Sequence, residues 1–144
     1  MQGQPEHPRG PADPNPQRGE VTAPTDQQVA DEICRELLAI HADSYGSPAG
    51  GAEAHVLDNT VVVLLHGLDL LPGEEFLIQE GQGQAVSNVH VQYQKAIEPT
   101  FRAAVERATG RRVLGFASQI QVEEPRFMTE IFRLEPRGVP GAQV

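Results

Sequence analysis

The chain has 144 residues, of which 39% are apolar, and it carries a formal net charge of −9. This length and apolar content suffice for one domain with a hydrophobic core and are too small for two. A net negative charge argues against general binding to nucleic acids or to anionic membranes, because both need a positive field. We therefore expect a single acidic domain with no nucleic-acid partner.

The single cysteine, Cys34, cannot form a disulfide within the chain, which is typical of a reducing compartment. No charged stretch followed by an apolar run lies near Met1. The apolar run 61–65 is cut short by His66 and Gly67, well below the roughly 20 residues that a membrane-spanning helix needs. These features predict a cytoplasmic protein without a transmembrane segment, for which any contact with a membrane is peripheral.

The first 24 residues are rich in proline and glycine and nearly lack large apolar side chains. Such a segment cannot bury enough surface to offset the entropy that it loses on ordering. We predict a disordered tail at residues 1–24, a single domain over residues 25–136 and a frayed C-terminus at residues 137–144.

The domain is predicted to begin with a helix. Thr25 is a good N-cap, and Gln28 three residues later completes a capping box. Apolar residues then recur at helical spacing over residues 29–40, so the helix should end near Ser44.

Cys34 and His41 lie on the same side of this helix, but they are about two turns apart, roughly 10 Å. A nucleophile and its base need hydrogen-bonding distance. We therefore expect a thiol at the edge of the core and a histidine on the surface, and no catalytic pair.

Two strands follow, separated by the dipeptide Asp58-Asn59, which tolerates the positive φ of a tight hairpin turn. A two-residue turn places Leu57 opposite Thr60 and divides the hairpin into two faces. One face is wholly apolar and should form the core. The other is mixed, and we predict it as an interaction surface made of His55, Leu57, Val62, Leu64 and His66. In this register the two histidines are not cross-strand partners, so no metal site is predicted.

Pro72 is a good first residue for a short helix, in which Phe76 should turn inward. A long helix follows over residues 85–109, where apolar residues trace one stripe. Pro99 removes a backbone donor from this helix, so we expect a kink or a break near Ile97.

Positive charge gathers near the end of the long helix, while acidic residues are concentrated in the first helix. Packing of the two helices is one use of this complementarity. The alternative is that arginines bind a small anion or a nucleotide phosphate. The candidate anion-binding residues are Arg102, Arg107, Arg111 and Arg112.

Two further strands are predicted at residues 112–122 and 127–135, and Leu114 should face the same side as Phe116. The order α-β-β-α-α-β-β predicts an α+β fold in which a four-stranded, mainly antiparallel sheet packs on helices. The sequence contains no recognisable catalytic triad, pair of carboxylates or metal-ligand spacing, so we predict no catalytic residue, metal or cofactor.

The apolar surface left on the mixed sheet face and the long helix favours a homodimer.

Residues 58–68, 72–75 and 101–113 together resemble the MpsC-like family of small bacterial domains, and the resemblance covers about residues 25–136. That family is named for a cation-translocating, membrane-potential-generating system, which is also tied to inorganic carbon uptake. The resemblance implies an accessory or interaction domain that contacts a membrane transport subunit peripherally. Where the family pattern has an Asp and a His after the serine of the third strand, this chain has Gln119 and Gln121, and neither side chain can act as a general acid or base. We expect a non-enzymatic accessory domain; the alternative is a small-anion or nucleotide-phosphate sensor.

Overall fold

A computed structural model describes residues 22–138 of the chain. Residues 1–21 of the predicted tail and residues 139–144 of the predicted C-terminal segment lie outside the described part. The elements are α1 (Asp26–Tyr45), β1 (Gly51–Leu57), β2 (Thr60–His66), α2 (Pro72–Gln79), α3 (Gly83–Thr109), β3 (Val113–Gln121) and β4 (Phe127–Leu134). The predicted α+β class and the predicted order of elements are confirmed.

The four strands form one antiparallel sheet in the order β1-β2-β4-β3, so β1 and β3 are its edge strands. On one face of the sheet, α1 packs against β1 and α3 packs against β3. The core lies between the helices and the two central strands, whose alternate residues are buried. Its fully buried members include Val61, Val63, Leu65, Met128 and Phe132. No helix of residues 22–138 covers the other face.

The local signals at the start of the domain produce the predicted structure. Thr25 Oγ1 accepts a hydrogen bond from Gln28 N–H at 3.1 Å, and Gln28 Oε1 accepts one from Thr25 N–H at 2.8 Å. This capping box begins α1, and Gly46 ends it with a left-handed φ of 88°. The prediction of a surface His41 was wrong: its ring is buried because it stacks on Tyr45, with 5.3 Å between the ring centroids.

The hairpin register is confirmed. Leu57 pairs with Thr60, and Val56 pairs with Val61. Asp58, the first turn residue, has a φ of 51°, which lies in the left-handed region that a tight turn requires. The wholly apolar face of β2 therefore points into the core.

Three local expectations were wrong. Phe76 is 60% exposed, because α2 rests against α3 and the core through its other side, where Leu77 is partly buried. Helix α3 continues through Pro99, which lies on the exposed side, where water can satisfy the freed carbonyl. Leu114 is exposed because a register shift between Val113 and Gly115 turns it away from the core.

Candidate functional site

The side of the sheet that faces away from the helices is the first candidate site, and we name it the open sheet face. The antiparallel register arranges its residues in rows that cross all four strands. Its two central rows are His55–Val62–Ile131–Ala117 and Glu53–Leu64–Thr129–Gln119. Its outer rows are Leu57–Thr60–Arg133–Gly115 and Gly51–His66–Phe127–Gln121.

Aliphatic side chains occupy the middle of the open sheet face, and polar side chains surround them. Val62, Leu64 and Ile131 lie on the central strands beside Thr129, while the histidine and glutamine side chains lie toward the edges of the face. This arrangement of an apolar centre within a polar rim is the usual anatomy of a protein interface.

Within residues 22–138, the charged members of this face are Glu53 and Arg133, and their formal charges cancel. Glu53 Oε1 lies 3.3 Å from His55 Nε2, and Arg133 donates a hydrogen bond to Thr60 Oγ1 at 2.6 Å. The face is therefore formally neutral with neutral histidines, although the whole chain carries −9.

All five residues that the sequence predicted as an interaction surface lie on this face: His55, Leu57, Val62, Leu64 and His66. Leu57 is among the exposed large apolar side chains, and both histidines are exposed. The structure brings the five residues together, and their contact with a partner stays a prediction.

The predicted anion-binding arginines on α3 are engaged by carboxylates. Arg102 Nε donates to Glu98 Oε2 at 2.7 Å. Arg107 donates to Glu36 on α1 at 2.9 Å, and this hydrogen bond is the largest cause that lowers the pKa of Glu36. The pair joins α3 to α1, which is the helix-packing use of their opposite charges.

The two arginines after α3 are also engaged. The guanidinium of Arg111 donates to Asp58 O at 2.9 Å, to Asn59 Oδ1 at 2.6 Å and to Glu135 O at 3.0 Å, so it holds the hairpin turn against the end of β4. Arg112 lies 3.3 Å from the Glu135 carboxylate. Arg111 and Arg112 share Glu135, while Arg102 and Arg107 have separate carboxylate partners, so the four arginines do not form one common site.

A second candidate site lies on the helix side of the sheet, where the sequence predicted apolar packing. Glu130 on β4 is 0% exposed, and its neighbours in register are Ser118 on β3 and Val63 on β2. Within the described part, neither carboxylate oxygen of Glu130 nor Oγ of Ser118 has a hydrogen-bond partner. Burial raises the pKa of Glu130 to about 8, and the neighbouring Ser118 hydroxyl, which lies outside hydrogen-bond geometry, opposes the rise. At neutral pH the carboxyl group is therefore mostly protonated.

Next to this pair, a cavity of about 200 Å³ opens between α3 and β3. Its polar lining includes His90, Gln94 and Ser118, and its apolar lining includes Phe116 and Ile120. His90 and Gln94 are 1% and 8% exposed, and Gln94 Oε1 has no partner within residues 22–138. The cavity therefore presents unpaired polar atoms in an otherwise apolar layer.

The inner end of this cavity adjoins a cluster that ties the three helices together. Tyr45 OH donates to Glu74 and accepts a hydrogen bond from Leu71 N–H at 3.2 Å. His90 Nε2 lies 3.3 Å from Glu74 Oε2 without hydrogen-bond geometry. Burial lowers the pKa of His90, against the opposing effect of Glu74, and burial is the main cause that raises the pKa of Tyr45. The cluster joins the C-terminal end of α1 to the N-terminal end of α2 and to α3.

Two further features are the thiol of Cys34 and a groove at the end of the sheet. Cys34 is half-buried, and burial, together with Asp31 and Glu53, raises the pKa of its thiol. Among residues 22–138, no group of three or more His, Cys, Asp or Glu side chains could hold a metal ion. A wider groove of about 700 Å³ lies at the end of the sheet, where Arg126 is paired with Glu75 through two hydrogen bonds of 2.7 and 3.0 Å.

Sequence reasoning missed the buried polar side chains because it followed apolar periodicity. Glu130 falls at the inward position of β4, between Met128 and Phe132, and this is a signal that could have found it. His90 and Gln94 are four residues apart and both lie on the buried side of α3. Their spacing could have indicated this once the position of the neighbouring strand was known.

The fold and the two sites define a class: an α+β domain with one sheet face under helices and the other face open. Residues 25–135 match the family described as Na+-translocating membrane potential-generating system (MpsC). The chain belongs to this family, which confirms the resemblance seen in the sequence. No curated protein and no solved structure matches the chain. Within residues 22–138, none of the helices has the length and apolar character needed to cross a membrane.

Proposed function

We propose that this protein is a cytoplasmic, non-enzymatic accessory domain of the membrane-potential-generating system for which its family is described, and that it acts as a homodimer. The observation that carries the proposal is the open sheet face, which leaves Val62, Leu64 and Ile131 without a covering layer in residues 22–138. A sheet face with an apolar centre is commonly covered by a second layer of structure.

A second copy of the chain can cover this face because the face carries one negative and one positive side chain, Glu53 and Arg133. In a two-fold interface, the same patch of each copy meets the other, so Glu53 of one copy can approach Arg133 of its partner. Two sheets that pack face to face lie about 10 Å apart and interdigitate their aliphatic side chains.

The size of the face sets the expected strength of the dimer. Four strands spaced by about 4.8 Å, each with about seven residues rising roughly 3.3 Å, give a face of about 20 by 23 Å. This is below the ~800 Å² that each partner buries in a standard interface. We therefore expect a reversible dimer with a dissociation constant in the micromolar range.

The non-enzymatic part of the proposal is supported by Gln119 and Gln121. Both side chains lie on the open sheet face of β3, at positions where the resemblance led us to expect an Asp and a His. Glutamine neither gives nor takes a proton near neutral pH. In a dimer these amides would form part of the polar rim of the interface.

The alternative function, an anion or nucleotide-phosphate sensor, has less support. Each of Arg102, Arg107, Arg111 and Arg112 already donates to a carboxylate or a carbonyl of the domain. An anion would have to compete with these internal acceptors.

Sedimentation equilibrium of the full chain tests the dimer. We expect a monomer–dimer equilibrium for the wild type and a monomer for Ile131→Lys, because the lysine puts an unpaired charge into the centre of the interface. The matched control is Val89→Lys on α3. Val89 is 46% exposed and Ile131 is 36% exposed, so the two changes are similar except for their position. A monomeric wild type, or equal loss of dimer in both variants, would contradict the proposal.

The link to the transport system needs a separate test. We expect the chain to co-sediment with membrane vesicles that contain the system's transport subunits and to stay in solution with vesicles that lack them. Equal recovery from both kinds of vesicle would contradict the accessory role and would leave the dimer unaffected.

A further inference from the structure

The cavity between α3 and the edge strand β3 is small and partly enclosed. Its volume of about 200 Å³ is below the roughly 300 Å³ at which sites for drug-sized ligands begin. Two polar side chains in its lining, His90 and Gln94, are more than nine-tenths buried. The cavity therefore has the dimensions for a small molecule and contains polar groups shielded from bulk water.

The unpaired oxygens in and beside the cavity define what it would bind. They are Oε1 of Gln94, Oγ of Ser118 and both carboxyl oxygens of Glu130, which lies behind Ser118 as its cross-strand neighbour. Gln94 Oε1 can only accept a hydrogen bond, and the Glu130 carboxyl group presents two acceptor oxygens once it has lost its proton. A buried acceptor without a donor is costly. The chemistry that satisfies such a set is a group rich in N–H donors.

The surroundings favour a cation. The net charge of −9 raises the local concentration of cations around the protein. Phe116 provides an aromatic wall against which a cation is attracted, and Ile120 gives an apolar surface for a short alkyl chain. At the entrance, Glu98 is paired with Arg102, and the exposed Lys95 can extend its ammonium group into solvent.

We infer that this cavity is a binding site for a small primary amine in its ammonium form, held by Gln94, Ser118 and Glu130. A primary ammonium group has three N–H donors and no acceptor, so it matches the unpaired oxygens. The site lies on the helix side of the sheet and does not depend on the proposed dimer.

Binding is coupled to one proton. The carboxyl group of Glu130 is mostly protonated while it is buried and unpaired, and an incoming ammonium ion stabilises its carboxylate form. The proton leaves to solvent as the cation enters, so the charge of the site is unchanged. The neighbours of Glu130 in register are Ser118 from β3 and Val63 from β2. The cavity next to Ser118 is lined from α3 by His90, Gln94, Lys95 and Glu98. Glu74 of α2 lies beyond His90, 3.3 Å from its Nε2.

Isothermal titration calorimetry of the full chain with n-butylammonium chloride tests the inference. Titrations at about pH 6 and about pH 9, in two buffers of different ionisation enthalpy, give both affinity and protons released. We expect close to one proton released at the lower pH and far fewer at the higher pH. The affinity should rise about tenfold per pH unit below the pKa of Glu130 and level off above it.

Two matched ligands show whether the cavity recognises the ammonium group or only the shape or the charge of the ligand. n-Butanol has the shape of the amine without its charge, and sodium chloride at the same ionic strength supplies a cation without N–H donors. Neither should compete with butylammonium. If butanol binds as tightly, if sodium displaces the amine, or if butylammonium gives no binding at either pH, the inference is wrong.

Variants locate the site. Glu130→Gln keeps the shape of the side chain and should weaken binding at least tenfold at high pH and abolish proton release. Glu53→Gln removes a carboxylate from the open sheet face, on the other side of the sheet, and should leave both quantities unchanged. Ser118→Ala, which removes one acceptor from an edge strand, should weaken binding and provides a second check. Unchanged affinity in folded Glu130→Gln and Ser118→Ala would overturn the assignment.

Discussion

At the scale of single residues, Glu130 is a carboxyl group that is fully buried in the hydrophobic core. Its pKa of about 8 in the folded chain lies above the ordinary value of 4.5, which applies when the chain is unfolded. Between these two values, the unfolded state gives up a proton that the folded state retains. The contribution of Glu130 to the free energy of unfolding should therefore fall as pH rises from about 4.5 to about 8, by about 1.4 kcal/mol per pH unit, and then level off. Burial lowers the pKa values of His41 and His90, and these two groups act in the opposite direction below pH 6.5.

Glu130→Gln should remove this loss of stability. Because glutamine does not ionise, we expect the variant to be a few kcal/mol more stable than the wild type at about pH 8, with little difference at about pH 5. Urea denaturation at several pH values measures the difference, and Glu98→Gln is a control at a half-exposed carboxylate. The same pH dependence of stability in the wild type and in Glu130→Gln would show that Glu130 is ionised in the folded chain.

At the scale of elements, local sequence signals predicted most of the fold. The capping box of Thr25 and Gln28 begins α1, and the dipeptide Asp58-Asn59 sets the hairpin register. Each signal acts within a few residues, so no knowledge of the tertiary structure is needed. The exposure of Leu114 and the continuation of α3 through Pro99 depend on neighbouring elements or on solvent, and the sequence alone did not predict them.

The same distinction explains the candidate sites. The open sheet face was found through His55, Val62 and Leu64, because alternation along a hairpin determines which side chains share a face. The buried Glu130 was missed, because a charged residue between apolar ones is most often interpreted as solvent-exposed. Alternation along β4 places Glu130 on the inward side, and the helices that pack on this face of the sheet complete its burial.

The hairpin turn offers a prediction at this scale. Asp58 has a φ of 51°, a conformation that is difficult for β-branched residues. We expect Asp58→Val to lower the free energy of unfolding by about 1–2 kcal/mol, while Asp58→Gly stays within a few tenths. Chemical denaturation of the two variants measures this difference. Arg111 binds the backbone carbonyl of residue 58 and not its side chain, so both variants keep that contact. Equal stability of the two variants would contradict the strained-turn interpretation.

At the scale of the whole molecule, the open sheet face is formally neutral with neutral histidines, while the chain as a whole carries −9. Two approaching copies therefore repel each other through charges outside the interface, while the aliphatic centre with Val62 and Ile131 attracts. The balance between this repulsion and the apolar attraction should depend on ionic strength, and the sign of that dependence tests whether the open sheet face is the interface.

We expect salt to strengthen the dimer. Raising the ionic strength from about 0.01 M to about 0.1 M shortens the screening length from roughly 30 Å to roughly 10 Å, which weakens the repulsion between whole molecules. The apolar contact is nearly unaffected, so the dimer should tighten by about tenfold, or ~1.4 kcal/mol. Sedimentation equilibrium at a series of sodium chloride concentrations measures the change, and Glu53→Gln should preserve its direction. A dimer that dissociates as salt is added would instead be held by ion pairs, and the open sheet face would not be its interface.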